Sequence, residues 1–411
     1  MNRLKIAIAA LFLAALPLAA SAEDAPGVFK IPGTESTIKF NGYVQLDMTE
    51  DLSGRVGDIE NNDWATILPG LDPDNTGAAK RKKPQLYMTA RTSRFSIVTS
   101  TPSKVGNIGV RLEGDFNGPN GFQSETFTNS VLFRLRHAYG TVGGLLVGQT
   151  WSTFLDLGAA PDTVDFNGPG TLALVRNPMI RYSFDLAPGM SLALAAENTR
   201  GSQFADETRF QSLPDFHAAF TYAGSWGHLS LRGVTQRYNR VATSATDPSG
   251  IADVSPKSYQ SIAGSLSGSA KVGGDTLVAS VSGGPGIGRY LLNALFMAGS
   301  VAADAQGDLK GWNVIGYHVG YTHVWNPEFR STAVWSQTFV QDLKPLDVAA
   351  NNGVQKDAMQ AFVNTFWSFA KNAEFGIEYA YGQSKSFSTA TSPELKRVQN
   401  RVNASFHYNF F

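Results

Sequence analysis

The chain has 411 residues, with 34 basic and 34 acidic side chains, 41 glycines and no cysteine. Charge balance gives no support to nucleic-acid binding, and the missing cysteine excludes disulfides, a thiol nucleophile and thiolate metal sites. Past the N-terminal stretch no run of eighteen apolar residues occurs, so no membrane-spanning helix is expected.

The first residues read as a secretory leader. Arg3 and Lys5 form a positive start, Ile6 to Leu18 an apolar stretch, and Ala20-Ser21-Ala22 a small-residue cleavage site before Glu23. Residues 1–22 are therefore set aside as a signal peptide. The remaining chain, 23–411, carries a net charge of about −2.

Beyond it, apolar and polar side chains alternate. "IKFNGYVQLDM" puts Ile38, Phe40, Val44, Leu46 and Met48 on one face and Lys39, Asn41, Gln45 and Asp47 on the other. "NIGVRLEGDF" alternates Ile108, Val110, Leu112 and Phe116 with Arg111, Glu113 and Asp115. A period of two with charge on the second face is the half-buried strand signal. The pattern predicts sixteen strands, at 37–48, 85–100, 107–116, 129–139, 145–151, 179–186, 190–198, 215–222, 228–238, 258–271, 275–282, 311–323, 328–340, 358–369, 373–383 and 395–410.

Seven short connections, such as "APG", "VGGD" and "KNA", interleave with eight long ones. Short turns on one side and long loops on the other, with an even strand number, describe an antiparallel transmembrane β-barrel. No linker divides residues 23–411, so one barrel accounts for the length. Aromatic residues at strand ends, Tyr139, Tyr182, Tyr222, Trp226, Trp325 and Tyr408, fit interfacial girdles. The final strand places Val402, Ala404, Phe406, Tyr408 and Phe410 on the lipid face, which leaves Phe411 as an extra residue.

Sixteen strands enclose an aqueous channel. Arg91, Arg111, Arg134 and Arg136 fall on the polar faces of the second to fourth strands, Arg181 on the sixth, and Arg397 and Arg401 on the last. Arg94 joins them only through a bulge at Ser93–Arg94, since Phe95 and Ile97 would otherwise face the lumen. An arginine facing lipid costs about 2–4 kcal/mol at mid-membrane, so these side chains are expected inside. The connection 152–178 is long and apolar, contains Pro161, Pro169, Gly168 and Gly170, and carries Asp156, Asp162 and Asp165. It is expected to fold into the barrel, its acids opposed to the arginines. Such opposed charges are a means of selecting solutes.

At "KFNGYVQLDM", "LEGDFNG", "LRHAYG", "LLVGQTWSTFLD" and "PDTVDFNGPG" the chain resembles the DcaP-like trimeric porins of Gram-negative outer membranes. These motifs cover roughly its first half. The resemblance implies a sixteen-stranded barrel, a homotrimer set in outer-membrane lipid and lipopolysaccharide, and passive uptake of small organic anions such as dicarboxylates. It also implies that the loop after the fifth strand forms the constriction. The N-terminal coiled coil of some members has no counterpart in the heptad-free stretch before the first strand.

Two other readings stay open: a non-selective general-diffusion porin and an outer-membrane barrel hydrolase. The six histidines, His137, His217, His228, His318, His323 and His407, are scattered and have no partner motif, and no G-x-S-x-G elbow is present. No enzyme activity, metal or cofactor is expected. "GGPGIGRY" at 283–290 lacks nucleotide-binding spacing and reads as loop.

Overall fold

A computed structural model describes residues 27–52, 85–118, 132–198, 213–240, 257–298, 300–303, 308–341, 354–388, 394 and 396–410. The expected signal peptide and Phe411 lie outside them. The strands are β1 Val28–Lys30, β2 Thr37–Asp51, β3 Gln85–Thr89, β4 Arg94–Thr101, β5 Ile108–Asp115, β6 Arg134–Val142, β7 Leu145–Trp151, β8 Arg176–Ala187, β9 Met190–Glu197 and β10 Asp215–Gly224. They continue as β11 Gly227–Arg240, β12 Lys257–Val272, β13 Asp275–Pro285, β14 Val301–Ala303, β15 Leu309–Gly311, β16 Asn313–Val324, β17 Phe329–Val340, β18 Gln355–Ala370, β19 Ala373–Ser386 and β20 Lys396–Asn409.

Each wall strand pairs antiparallel with its chain neighbours, and β20 returns to β2 through Tyr43↔Asn409 to Asp51↔Arg401. The sheet is thereby closed. β3 and β4 are two halves of one wall strand, because both pair with β2. β1 extends the β2 hairpin and β14–β15 is a separate small hairpin, which leaves sixteen wall strands. Every predicted strand coincides with one of them. The fourth begins at Arg134 rather than 129.

The chain folds this way because its alternation inverts that of a water-soluble sheet. Val110, Leu112, Leu231, Ile262 and Ile377 stand exposed on the outer surface, while their polar neighbours are enclosed. Tight turns close the short side; Gly189 has φ +77°, and a Cβ there would lie 2.2 Å from the Ala223 carbonyl oxygen. At the closing seam Phe410 faces outward, and its N–H donates to the Gly42 carbonyl at 3.0 Å. A Cβ on Gly42 would meet that ring at 2.6 Å, so the glycine is the seat for Phe410.

Tyr182, Tyr222, Trp226, Trp325 and Tyr408 are exposed on the outer surface, as expected of girdle residues. Tyr139 differs: it pairs across from lumen-facing Arg111, because a bulge one turn of the pleat earlier in β6 switches the strand's parity.

The principal apolar core lies inside the barrel. Phe154, Leu155, Leu172 and Ala173 from the third loop pack with Ile287, Tyr290, Leu291, Ala294 and Met297 from the β13–β16 connection, against Val314, Val340 and Ala358 of the wall. The third loop is therefore folded inward, as its apolar composition predicts. Residues 286–298 of the β13–β16 connection, which reads from sequence as an ordinary loop, are folded inward as well. They contain a short helix, α1, at Leu292–Met297.

Candidate functional site

Two irregularities at one level of the barrel assemble the arginines. On β3 the outward residues are even-numbered, Leu86 and Met88; on β4 they are odd, beginning with Phe95. The change of parity occurs at Ala90–Ser93, where the strand breaks into a turn closed by Ser93 N–H to the Ala90 carbonyl at 3.0 Å. Arg91 and Arg94 consequently both point inward. In place of the bulge expected at Ser93–Arg94 the strand is interrupted just before it. The second irregularity lies between β5 and β6: Glu113 pairs with His137 and Gly114 with Leu135, so Arg136 is the extra residue. Arg136 and His137 are both buried on the inner side.

Glu113 and Asp115 organise the cluster. Arg134 binds Asp115 through both carboxylate oxygens, at 2.9 and 2.7 Å. Arg136 bridges the two acids, donating to Glu113 at 2.9 Å and to Asp115 at 2.8 Å. Arg111 donates to Glu113 at 2.6 Å, and Arg94 lies 3.6 Å from the same carboxylate. Four guanidiniums thus share two carboxylates, a formal excess of two positive charges. Arg176 adds a third by stacking 3.5 Å over the Trp151 ring, which also lies 5.8 Å from Arg136.

The members differ in what they can do. Arg136 is buried and bonded on both sides, so it serves as the keystone. Arg111 and Arg134 each keep 31% of their side-chain surface exposed, so they can meet a solute. Arg181 faces inward on β8, and neither it nor Arg176 forms an ion pair among the described residues. Arg91 donates to Thr89 at 3.2 Å and lies over Tyr87, on the other side of the strand break. Arg401 is paired with Asp51 at the seam; the side chain of Arg397 lies outside the described residues.

The third-loop acids are placed differently from the expected opposition. Asp156 accepts from His228 at 2.9 Å and Ser267 at 2.6 Å, with Arg232 3.5 Å away. Asp162 accepts from Arg330 at 2.6 Å. Asp165 lies at the loop tip, where its own N–H and that of Val164 donate to Glu378, each at 2.9 Å. Asp156 and Asp162 are thus engaged by β11, β12 and β17, away from the arginine cluster. Toward the cluster the loop presents Phe166, whose ring lies 6.0 Å from Arg94 and 5.8 Å from Arg136. The physical reason is local neutralisation: an acid buried in a loop is best satisfied by the nearest wall cation.

Several anchors escaped sequence reading. Glu378 is buried on β19 and also accepts from Asn364 and Asn403. His318 holds the loop from β16, its ring nitrogens bonded to the Thr171 hydroxyl at 2.8 Å and the Ala159 carbonyl at 2.9 Å. A signal for that clamp exists. Gly316 and Gly320 flank His318 on the same face, and Cβ atoms there would meet Thr171 at 3.2 Å and Pro161 at 2.7 Å. Paired glycines around an inward polar residue mark the close approach of another segment.

Among the described residues no group of acidic and histidine side chains is arranged to hold a metal ion. The arrangement is an enclosed, positively biased lumen narrowed by inward-folded segments.

A family model described as a porin subfamily matches residues 25–407. Porin Omp2b of Brucella suis biovar 1 is 26% identical over 218 residues, 50% of this chain and 52% of that protein. The chain thus spans about half the length of the curated relatives it matches. The solved outer membrane channel DcaP of Acinetobacter baumannii superposes with a TM-score of 0.73 at 25% identity, over 93% of this chain and 99% of that one. The trimer form of OmpT from Vibrio cholerae shares the fold at 11% identity, with a TM-score of 0.56 over 91% and 99% of the two chains. With a closed sixteen-stranded barrel, a lipid-facing apolar exterior and a family match over nearly its whole length, the chain belongs to the porin subfamily of the Gram-negative outer membrane.

Proposed function

We propose that this porin is a passive diffusion channel for small hydrophilic solutes, with a preference for organic anions such as dicarboxylates. The observation that carries the reading is the charge imbalance on β4–β8. Arg94, Arg111, Arg134 and Arg136 share two carboxylates, Glu113 and Asp115, while Arg176 and Arg181 add inward guanidiniums that form no ion pair among the described residues. Guanidiniums in low-dielectric surroundings bind carboxylates through paired, charge-assisted hydrogen bonds. The partly exposed Arg111 and Arg134 are the first contacts offered to a solute. Asp156 and Asp162, already matched by Arg232 and Arg330, subtract little from that field. Residues 152–178 act as the constriction, with Phe166 as the apolar edge opposite the arginines.

The test is the reversal potential of the purified channel in a planar bilayer under a salt gradient, followed by flux of a panel of mono- and dicarboxylates. A reversal potential on the chloride side and faster dicarboxylate flux support the reading. Equal permeation of cations and anions replaces it with general diffusion. We further infer a homotrimer, the assembly of DcaP-like porins, checked by chemical cross-linking in detergent, and removal of residues 1–22, checked by N-terminal sequencing.

A further inference from the structure

Residues 286–298, in the connection between β13 and β16, do not leave the barrel in the manner of an external loop. Ile287, Tyr290, Leu291 and Ala294 have no exposed surface. Asn293 N–H donates to the Gly170 carbonyl at 2.7 Å, which fixes the segment to the third loop. The two backbones lie so close that a Cβ on Gly170 would collide with the Asn293 side chain at 1.7 Å.

The segment is tied to distant parts of the wall. Arg289 donates to the Asn198 carbonyl at 2.8 Å and to Asn177 at 3.1 Å, on the β8 and β9 side. The Tyr290 hydroxyl donates to Asp215 of β10 at 2.9 Å. On the other side Asn293 donates to Thr338 of β17 at 3.3 Å. A chord of chain thus crosses the lumen, its apolar residues packed into the third loop. Apolar packing of this kind is dry, and an ion does not pass through it.

We propose that Gly286–Ala298 is a second constriction element. With the third loop it seals the β10–β18 side of the lumen, confines permeation to the arginine-lined side, and so sets the size limit of the channel. Arg289 and Tyr290 are its positioning residues. This rests on the reading of the barrel as a conducting channel, but not on its preference for anions.

Single-channel recording of the full chain tests it. Arg289→Ala combined with Tyr290→Ala cuts the tie to β8–β10. Conductance should rise about two-fold, larger neutral polyethylene glycols should enter, and charge selectivity should weaken as uncharged water joins the path. Unchanged conductance and size limit in a variant that keeps its heat-modifiable gel mobility overturn the proposal. A second variant guards against misfolding of the first. The chain has no cysteine, so Ala294→Cys introduces a unique thiol. In the folded channel a membrane-impermeant thiol reagent should leave this residue unmodified and the current unchanged, whereas Arg134→Cys should react and alter the current. Modification of the Ala294→Cys variant with block of the current places the segment in an open pore and overturns the proposal. A wild-type barrel that conducts nothing overturns this proposal together with the channel reading. A conducting wild type whose variants behave identically to it overturns this proposal alone.

Discussion

Arg134→Gln isolates the electrostatic contribution of one exposed guanidinium. Asp115 stays bonded to Arg136 at 2.8 Å when Arg134 is removed, so the variant loses a charge without orphaning a buried carboxylate. A solute ion passing about 6 Å from the guanidinium in water-like surroundings feels about 0.7 kcal/mol. The charge attracts an anion and repels a cation, so the ratio of their permeabilities moves by up to about 1.4 kcal/mol, about tenfold. Screening supplies the control. In about 0.01 M salt the Debye length is about 30 Å and the effect is full; in about 1 M salt it is about 3 Å and most of the effect is gone. The assay is the reversal potential of wild type and variant in planar bilayers at both salt levels. A loss of chloride preference at low salt that fades at high salt is expected, and Arg111→Gln should add to it. An unchanged reversal potential at low salt would refute the argument, since it would mean that permeant ions do not pass beside the cluster.

Three further outcomes follow from other parts of the molecule. Val110 and Leu112 face outward, so arginine at either position should destabilise the barrel by about 2–4 kcal/mol if it lies near the bilayer centre, measured by urea titration of the protein folded in liposomes. Glu378→Ala leaves the Val164 and Asp165 N–H groups without their acceptor, at about 1–3 kcal/mol for each buried group; it should lower the thermal midpoint and produce flickering single-channel currents, while a steady current would show that the loop tip is held by other contacts. Burial alone would raise the Asp156 carboxyl, but the hydrogen bond from His228, the Arg232 guanidinium and the Ser267 hydroxyl together hold it down at about 2. Its ordinary value is near 4, so its contribution to stability, about 2 kcal/mol, is complete above that pH and is lost as pH falls toward 2. Asp156→Asn should therefore destabilise the channel at neutral pH and flatten its acid unfolding curve, followed by circular dichroism; an acid transition identical to wild type would count against the pairing.

The barrel was legible because its signal repeats along the chain. Alternation, charge on the second face and the short–long rhythm of connections are local properties, and each strand states them independently. The inward position of Arg111, Arg134, Arg136 and Arg181 was legible for the same reason. What the sequence left open depends on pairs of residues far apart in it. The partners of Asp156 and Asp162, which are Arg232 and Arg330, sit on the far wall, and nothing in "STFLDLGAAPD" specifies them. The inward fold of 286–298 was missed because a glycine-rich, apolar connection reads the same whether it covers a core or a membrane-facing mouth. For Arg94 the alternation asks for a bulge at Ser93–Arg94; the structure has instead a turn at Ala90–Ser93, which period-two reasoning cannot produce.

That turn has a consequence for how much charge a wall can hold. A regular strand offers one inward position in two, spaced about 6.6 Å apart along its axis. A flawless barrel therefore has a ceiling on the number of guanidiniums it can crowd into a given patch. Here the break before β4 and the bulge in β6 flank the same rung, Arg94↔Asp115↔Arg134. Each irregularity turns inward a side chain that strict alternation would send outward: the break lets Arg91 and Arg94, three apart, share the inner side, and the bulge sets His137 beside Arg136 there. The defects thus choose which side chains of a strand reach the lumen. A strand carried on from β3 with unbroken parity would turn Arg94 to the lipid and Phe95 to the lumen, leaving the patch short of one guanidinium.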